Sequence, residues 1–265
     1  MLAGPPDAPV DIPASVRALA AGQTVEPVWQ NEQGGLTFRV GTRGDGRYIK
    51  WAPAGSGLDL PGEAARLRWA IRTTPVPSVL ATGADPDGTW LVTAAVDGDS
   101  AVSPRWKQEP GRAAAAIGRG LRALHDALPV DDCPFSWTTA ERVAAVERGA
   151  AEGSIHSGPP GTGSTELGMD DALDTLRHPP PAEDPVVCHG DACAPNTLLD
   201  RHGQWVAHVD LGRLGVGERW ADLAVAAWST EWNYGPGWDR TVYDAYGIEP
   251  DPERIRYFRL LWALG

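Results

Sequence analysis

Two polar stretches of this 265-residue chain carry residue types that could do chemistry at a spacing that could bring them together. His189-Gly190-Asp191 is followed five residues on by Asn196, and after a second apolar run by Asp210-Leu211-Gly212-Arg213. Val186 to Cys188 reads as a short buried strand feeding the His-Gly-Asp loop. Thr197 to Leu199 and Trp205 to Val209 read as two strands joined by a turn at Asp200 to Gly203. Antiparallel pairing would put Asn196 and Asp210 at the same open end, with Asp191 on the loop that enters it. An amide oxygen and a carboxylate suit Mg²⁺, a hard cation that divides its coordination among protein oxygens, water and phosphate. A further carboxylate close by can orient or deprotonate a hydroxyl that attacks phosphorus.

One cation stands out beside them. Of the 23 basic residues only Lys50 and Lys107 are lysines. Lys107 sits in a polar surface stretch, whereas Lys50 lies in the strand-like run Arg47 to Ala52, bounded by Gly46 and Pro53. A compact ammonium suits a single phosphate group.

The elements that must hold these residues differ along the chain. Up to about residue 97 the pattern is strands and turns around Trp29, Leu36 to Val40, Tyr48 to Ala52 and Trp90 to Val96, with one helix marked by Leu60, Ala64, Leu67 and Ile71. Beyond Gly98 it turns helical, with helices around Ile117 to Leu128, Ala140 to Ala151, Leu167 to Leu176, Trp220 to Trp228 and Ile255 to Leu261. The segment 154–164, rich in Gly, Pro and Ser, reads as a mobile loop. The expectation is an α+β protein with a small β-rich lobe at 1–97 and a larger, mainly helical lobe at 98–265.

At 42% hydrophobic and 22% charged residues the chain is globular in composition. No apolar run approaches the roughly 18 residues of a membrane helix, and the N-terminus lacks a basic-then-apolar signal, so a cytoplasmic location without membrane contact is expected. Three cysteines do not make a disulfide framework, and the four-residue gap between Cys188 and Cys193 is not a zinc spacing. A net charge of −12 argues against nucleic acid as partner. Residues 1–95 hold nine acidic and eight basic residues, a net of −1, so the remaining −11 lies in the second part, where it serves either solubility or the handling of a cationic partner.

Taken together, His189-Gly-Asp191, Asn196, Asp210-Leu-Gly-Arg213 and Arg219-Trp-Ala-Asp222 resemble the signature of aminoglycoside O-phosphotransferases, closest to the 3′- and 3″-modifying branches. Ile49-Lys50-Trp-Ala-Pro53, Gly62-Glu63-Ala-Ala-Arg-Leu67, Trp90-Leu-Val-Thr93 and Leu128 to Pro134 extend the resemblance over nearly the whole chain. It implies a two-lobed protein-kinase-like fold and an antibiotic-resistance enzyme that uses ATP and Mg²⁺ to phosphorylate a hydroxyl of an aminoglycoside of the kanamycin, neomycin or streptomycin type. Asp191 would be the catalytic carboxylate, and Asn196 and Asp210 would hold the metal. Lys50, oriented by Glu63, would contact the α- and β-phosphates. Gly34 and Gly35 would lie in the loop over the phosphates, and the backbone near Thr93 and Ala95 would bind adenine. His189 would brace the catalytic loop, and Asp222 would pair with that loop from its helix.

For the cationic antibiotic, Glu231, Asp131, Asp132 and Trp238 are candidate contacts, with Trp232 a second aromatic that could line the pocket. The pattern departs from the family in three places. The segment 154–161 has no carboxylate, Leu261 to Gly265 lacks the acidic aromatic tail of many 3′-enzymes, and Glu218 stands where Asp is usual. The first two leave open the alternative of a kinase for another antibiotic or a small metabolite alcohol. An intact Lys50, Glu63, Asp191, Asn196 and Asp210 set argues against a non-catalytic nucleotide binder. Oligomeric state and a preference for ATP over GTP are not written in the sequence.

Overall fold

The computed structural model describes residues 4–31, 33–42, 46–153 and 168–265. By contacts the chain divides into two units, Met1–Asp97 and Gly98–Gly265. The expected loop at 154–164 and most of the turn at 44–46 lie outside the described residues.

The first unit runs α1 (Ala14–Ala20), β1 (Val25–Gln30), β2 (Leu36–Val40), β3 (Arg47–Pro53), α2 (Leu60–Ala70), β4 (Val79–Asp85) and β5 (Gly88–Ala94). Its strands form an antiparallel sheet in the order β1-β2-β3-β5-β4. Side chains alternate across a strand, so β3 serves two layers at once. Ile49 and Trp51 pack with Phe38, Val40 and Val92 against Val16 and Ala20 of α1. Lys50 and Ala52 therefore point to the opposite face, where α2 lies along β3, β4 and β5. Asp59 starts α2 by accepting the Gly62 N–H at 2.8 Å, and Pro61 fits its first turn.

Neither α1 nor β4 stands out in the sequence. α1 is a seven-residue helix without a side-chain cap. β4 is an edge strand of Ala, Thr and Gly with alternating exposure, and its Gly83 is a seat for the Trp90 indole, which a Cβ there would meet at 2.2 Å. The strand is defined by its partner, which is why its own pattern is weak.

The second unit runs β6 (Asp99–Ser100), α3 (Pro104–Lys107), α4 (Pro110–Ala127), α5 (Thr139–Glu152), α6 (Met169–Leu176), β7 (Val186–Cys188), β8 (Thr197–Leu199), β9 (Trp205–His208), β10 (Gly215–Gly217), α7 (Trp220–Tyr234), α8 (Asp239–Tyr246) and α9 (Pro252–Leu264). Its core is helical, built on Ile117 and Leu121 of α4, Leu223 and Ala227 of α7, Tyr243 of α8 and Phe258 and Leu261 of α9. α4 is lined with Ala and Gly so that α8 can approach closely; a Cβ at Gly118 would lie 2.3 Å from the Val242 carbonyl oxygen. Thr138 and Glu141 form a capping box at the start of α5. Two small antiparallel pairings, β6-β8-β9 and β7-β10, sit beside the helices and carry the polar loops. α7 runs to Tyr234, past the expected end near Trp228, so Glu231 lies inside that helix and not after it.

Candidate active site

In the first unit the Lys50 ammonium meets a Glu63 carboxylate oxygen at 2.7 Å. Strand alternation turns Lys50 toward α2, and the first turn of α2 favours an acidic residue because unpaired N–H groups gather there. Glu63 is buried and Lys50 partly exposed, so the pair fixes the position of the ammonium. Between β1 and β2, Gly34 has a positive φ of 82°. The sequence reading overlooked Asn31, whose Oδ1 accepts the Gly35 N–H at 2.7 Å and the Gln33 N–H at 3.1 Å. An Asn closing a Gly-Gly turn is a recognisable side-chain turn signal. At the end of β5, near the expected adenine contacts Thr93 and Ala95, some backbone amides are already engaged. The Ala95 N–H donates to the Gly46 carbonyl at 2.9 Å, so it is engaged within the sheet, while Ala94 N–H donates to Ser78. In extended backbone the next amide, of Val96, points the opposite way.

In the second unit the hairpin forms as the sequence spacing requires. β8 pairs with β9, Thr197 opposite His208, and the Val209 N–H donates to the Asn196 carbonyl at 3.0 Å. Asn196 and Asp210 thus flank one end of the hairpin. The Asn196 Nδ2 donates to the Asp191 carbonyl at 2.9 Å and reaches its Oδ2 at 3.4 Å, tying the amide to the loop. Asp191 Oδ1 has no hydrogen-bond partner among the described residues. Asp210 has a φ of 66°, a left-handed conformation that Asp tolerates better than most residues. Gly190, with φ 86°, lies against the Arg213 carbonyl oxygen, which a Cβ would meet at 2.3 Å.

His189 donates from Nε2 to the Val209 carbonyl at 3.0 Å, and its Nδ1 accepts the Asp191 N–H at 3.3 Å. Both ring nitrogens are spent on backbone, so the imidazole braces the loop and has no proton to trade. Asp222 of α7 is fully buried and accepts the His189 N–H at 2.6 Å, the Gly190 N–H at 2.9 Å and His125 Nε2 at 3.0 Å. Burial pushes its carboxyl up, but the His125 bond, the nearby His125 and His189 and the Gly190 amide outweigh this, and the net shift is downward. His125, Cys188 and Asp222 cluster closely enough to suggest a metal. Each is already committed: His125 to Tyr246 and Asp222, and the Cys188 thiol to the Glu218 carbonyl. Burial, then the Asp191 charge, raises the pKa of the Cys193 thiol, which keeps it protonated.

The candidate substrate contacts are more scattered. Asp131 and Asp132 are exposed in the turn after α4. Trp238 packs on the core with its ring against Gly111 at the start of α4. Glu231 pairs with Arg259 of α9 at 3.5 Å. It lies about 200° around α7 from Ser229, the residue that faces the catalytic loop, at roughly 100° per residue. Trp232 is exposed and packs its ring on Trp228 and Trp262. Among the described hydrogen bonds, none brings any of these three carboxylates and two rings to the Asp191 loop.

Comparison with known proteins decides the family. The model of the phosphotransferase enzyme family matches residues 25–258. The chain belongs to that family. It is 39% identical over 219 residues to an aminoglycoside 3′-phosphotransferase of Streptomyces fradiae, covering 79% of this chain and 81% of the relative. It is 34% identical over 249 residues to the streptomycin 3″-kinase of Streptomyces griseus, covering 87% and 88%. Among solved structures, the aminoglycoside 3′-phosphotransferase of type VIII superposes with a TM-score of 0.80 at 31% identity, covering 94% of this chain and 97% of that one. The aminoglycoside phosphotransferase APH(3″)-Id of Streptomyces rimosus, in complex with ADP and streptomycin, gives 0.76 at 28%, covering 97% and 99%. This family member is an α+β, protein-kinase-like phosphotransferase. Among its described residues no helix is long and apolar enough to cross a membrane.

Proposed function

We propose that the chain is an ATP-dependent O-phosphotransferase that phosphorylates a hydroxyl of an aminoglycoside antibiotic and so confers resistance, acting in the cytoplasm. The observation that carries this reading is Asp191, a carboxylate with one oxygen unpartnered among the described residues, on a loop braced by His189 and Asp222 beside Asn196 and Asp210.

Asp191 would accept the proton of the acceptor hydroxyl as its oxygen bonds to the γ-phosphorus. The bond from that phosphorus to the bridging oxygen breaks, and ADP leaves with the electron pair. The oxygen-rich pair of Asn196 and Asp210, tied to one hairpin end, fits a hard divalent cation, and Mg²⁺ held there would offset charge on the phosphate oxygens. Lys50, held by Glu63, would meet the α- and β-phosphates, and the turn of Gly34 and Gly35, whose N–H groups Asn31 takes up, would let the backbone lie close over them. Because Ala95 N–H is engaged, the adenine edge would be read by the Ala94 carbonyl and the Val96 N–H, with Thr93 behind them in the strand. Most of the rate enhancement would come from positioning and charge neutralisation. Arg259 takes up Glu231, so Glu231, Asp131, Asp132 and Trp238 remain secondary candidates for the cationic substrate.

The test is a coupled assay of ADP release with kanamycin, neomycin, streptomycin and simple amino alcohols. Turnover of an aminoglycoside, lowered at least about 100-fold by Asp191→Ala with nucleotide affinity nearly unchanged, is the expected result. Turnover of amino alcohols alone would favour the metabolite kinase, and full activity of Asp191→Ala would end the catalytic assignment.

A further inference from the structure

We propose that Ser229 is a positioning residue for Asp191, the second of two points at which α7 holds the catalytic loop. The inference rests on the reading of Asp191 as the carboxylate that faces the acceptor hydroxyl.

The Asp191 side chain is held by near neighbours in the sequence, Asn196 Nδ2 and the Cys193 thiol, which move with the loop. Its Oδ1 has no hydrogen-bond partner among the described residues, and the contact of Oδ2 with Asn196 Nδ2 is 3.4 Å long. Its location is therefore set by the backbone on either side. On the N-terminal side the anchor is Asp222, through the His189 and Gly190 N–H groups. On the C-terminal side the Ser229 Oγ accepts the Ala194 N–H at 2.9 Å. Asp222 and Ser229 are seven residues apart, close to two helical turns, so they stand on one face of α7. Only residues 191–193 lie between the two grips.

The second grip is built to be rigid. Ser229 and Ala194 are both fully buried, so no water can replace the hydroxyl, and without it the Ala194 N–H would be an orphan. Asn233, one turn further along α7, donates through Nδ2 to the Ser229 carbonyl at 2.8 Å and reaches its Oγ at 3.2 Å. The acceptor that holds the loop is itself held.

The experiment measures kcat, both KM values and melting temperature of full-length Ser229→Ala and Ser229→Thr beside Asp191→Ala, with kanamycin or streptomycin as acceptor, whichever is turned over. Ser229→Ala should lose about tenfold or more in kcat with nucleotide KM within about twofold, since small displacements of a reacting group are costly. Ser229→Thr, which keeps the oxygen, should recover most of that loss. Hydrogen exchange at the Ala194 amide should speed up in the Ala variant, a readout that needs no acceptor. If Ser229→Ala fails to fold, Ser229→Cys, similar in size and a weaker acceptor, carries the same test. A lowered melting temperature with unchanged kcat overturns the proposal and leaves Ser229 a stability residue. If Asp191→Ala keeps its activity, the underlying reading falls and the proposal with it; if only Asp191→Ala is inactive, the reading stands and Ser229 has no positioning role.

Discussion

Lys50 and Asp222 do their work through partners that sequence spacing alone does not reveal. The Lys50–Glu63 contact joins a strand to the following helix across 13 residues of sequence, and it forms because strand alternation turns Lys50 to the α2 face. Lys50→Met should raise the nucleotide KM and lower kcat/KM by about 100-fold or more, with Glu63→Gln giving a smaller loss in steady-state kinetics. Asp222 carries a pH signature as well. Its folded carboxyl titrates below the ordinary range near about 4, so its contribution to stability is complete above that range. It is lost as pH falls through the lower, folded value. Acid unfolding followed by circular dichroism should be steeper in the wild type than in Asp222→Asn, which should be less stable at neutral pH and flatter below pH of about 4. The residue types and spacings of Asp191, Asn196, Asp210 and Asp222 were readable from the chain. The engagement of the Ala95 amide with Gly46 was not, because backbone pairing depends on the register of β3 against β5.

At the scale of elements, the loop between β7 and the 3₁₀ turn at Ala194–Asn196 is shaped by glycine at one point. Gly190 combines φ 86° with an Arg213 carbonyl 2.3 Å from where a Cβ would sit. Gly190→Ala should cost more than about 2 kcal/mol and abolish turnover. Gly235→Ala, at φ 88° but with open space around its Cβ, should cost about 1 kcal/mol, and thermal melts separate the two. The hairpin β8–β9 and helix α2 were legible because their apolar residues recur at the periods of strand and helix. α8 was not, since Asn233 to Trp238 reads as a Gly- and Pro-rich loop and the helix that follows is held by α4. The continuation of α7 through Glu231 escaped for a related reason. The polar run Ser229-Thr230-Glu231 breaks the apolar pattern after Trp228, yet the helix continues to Tyr234 and ends where Gly235 takes a positive φ.

For the whole molecule, the net charge of −12 lies almost wholly beyond residue 95. If the acceptor is a polycation, its KM should rise several-fold between 50 and 500 mM salt while kcat changes little, because screening over about 8 Å weakens steering before it touches bonded contacts. A salt-independent KM would show that the excess acid serves solubility alone. The amino-acid sequence by itself determined the α+β composition, the helical second part, the hairpin and the polar set that identifies a phosphotransferase, because periodicity and motif spacing are local properties. Tertiary structure decided what those residues rest on. The pairing of Lys50 with Glu63, the commitment of both His189 nitrogens to backbone, the turning of Glu231 toward Arg259 and the two grips of α7 on the loop are contacts between distant segments. Their partners are chosen by which faces pack together, and packing is a property of the folded chain.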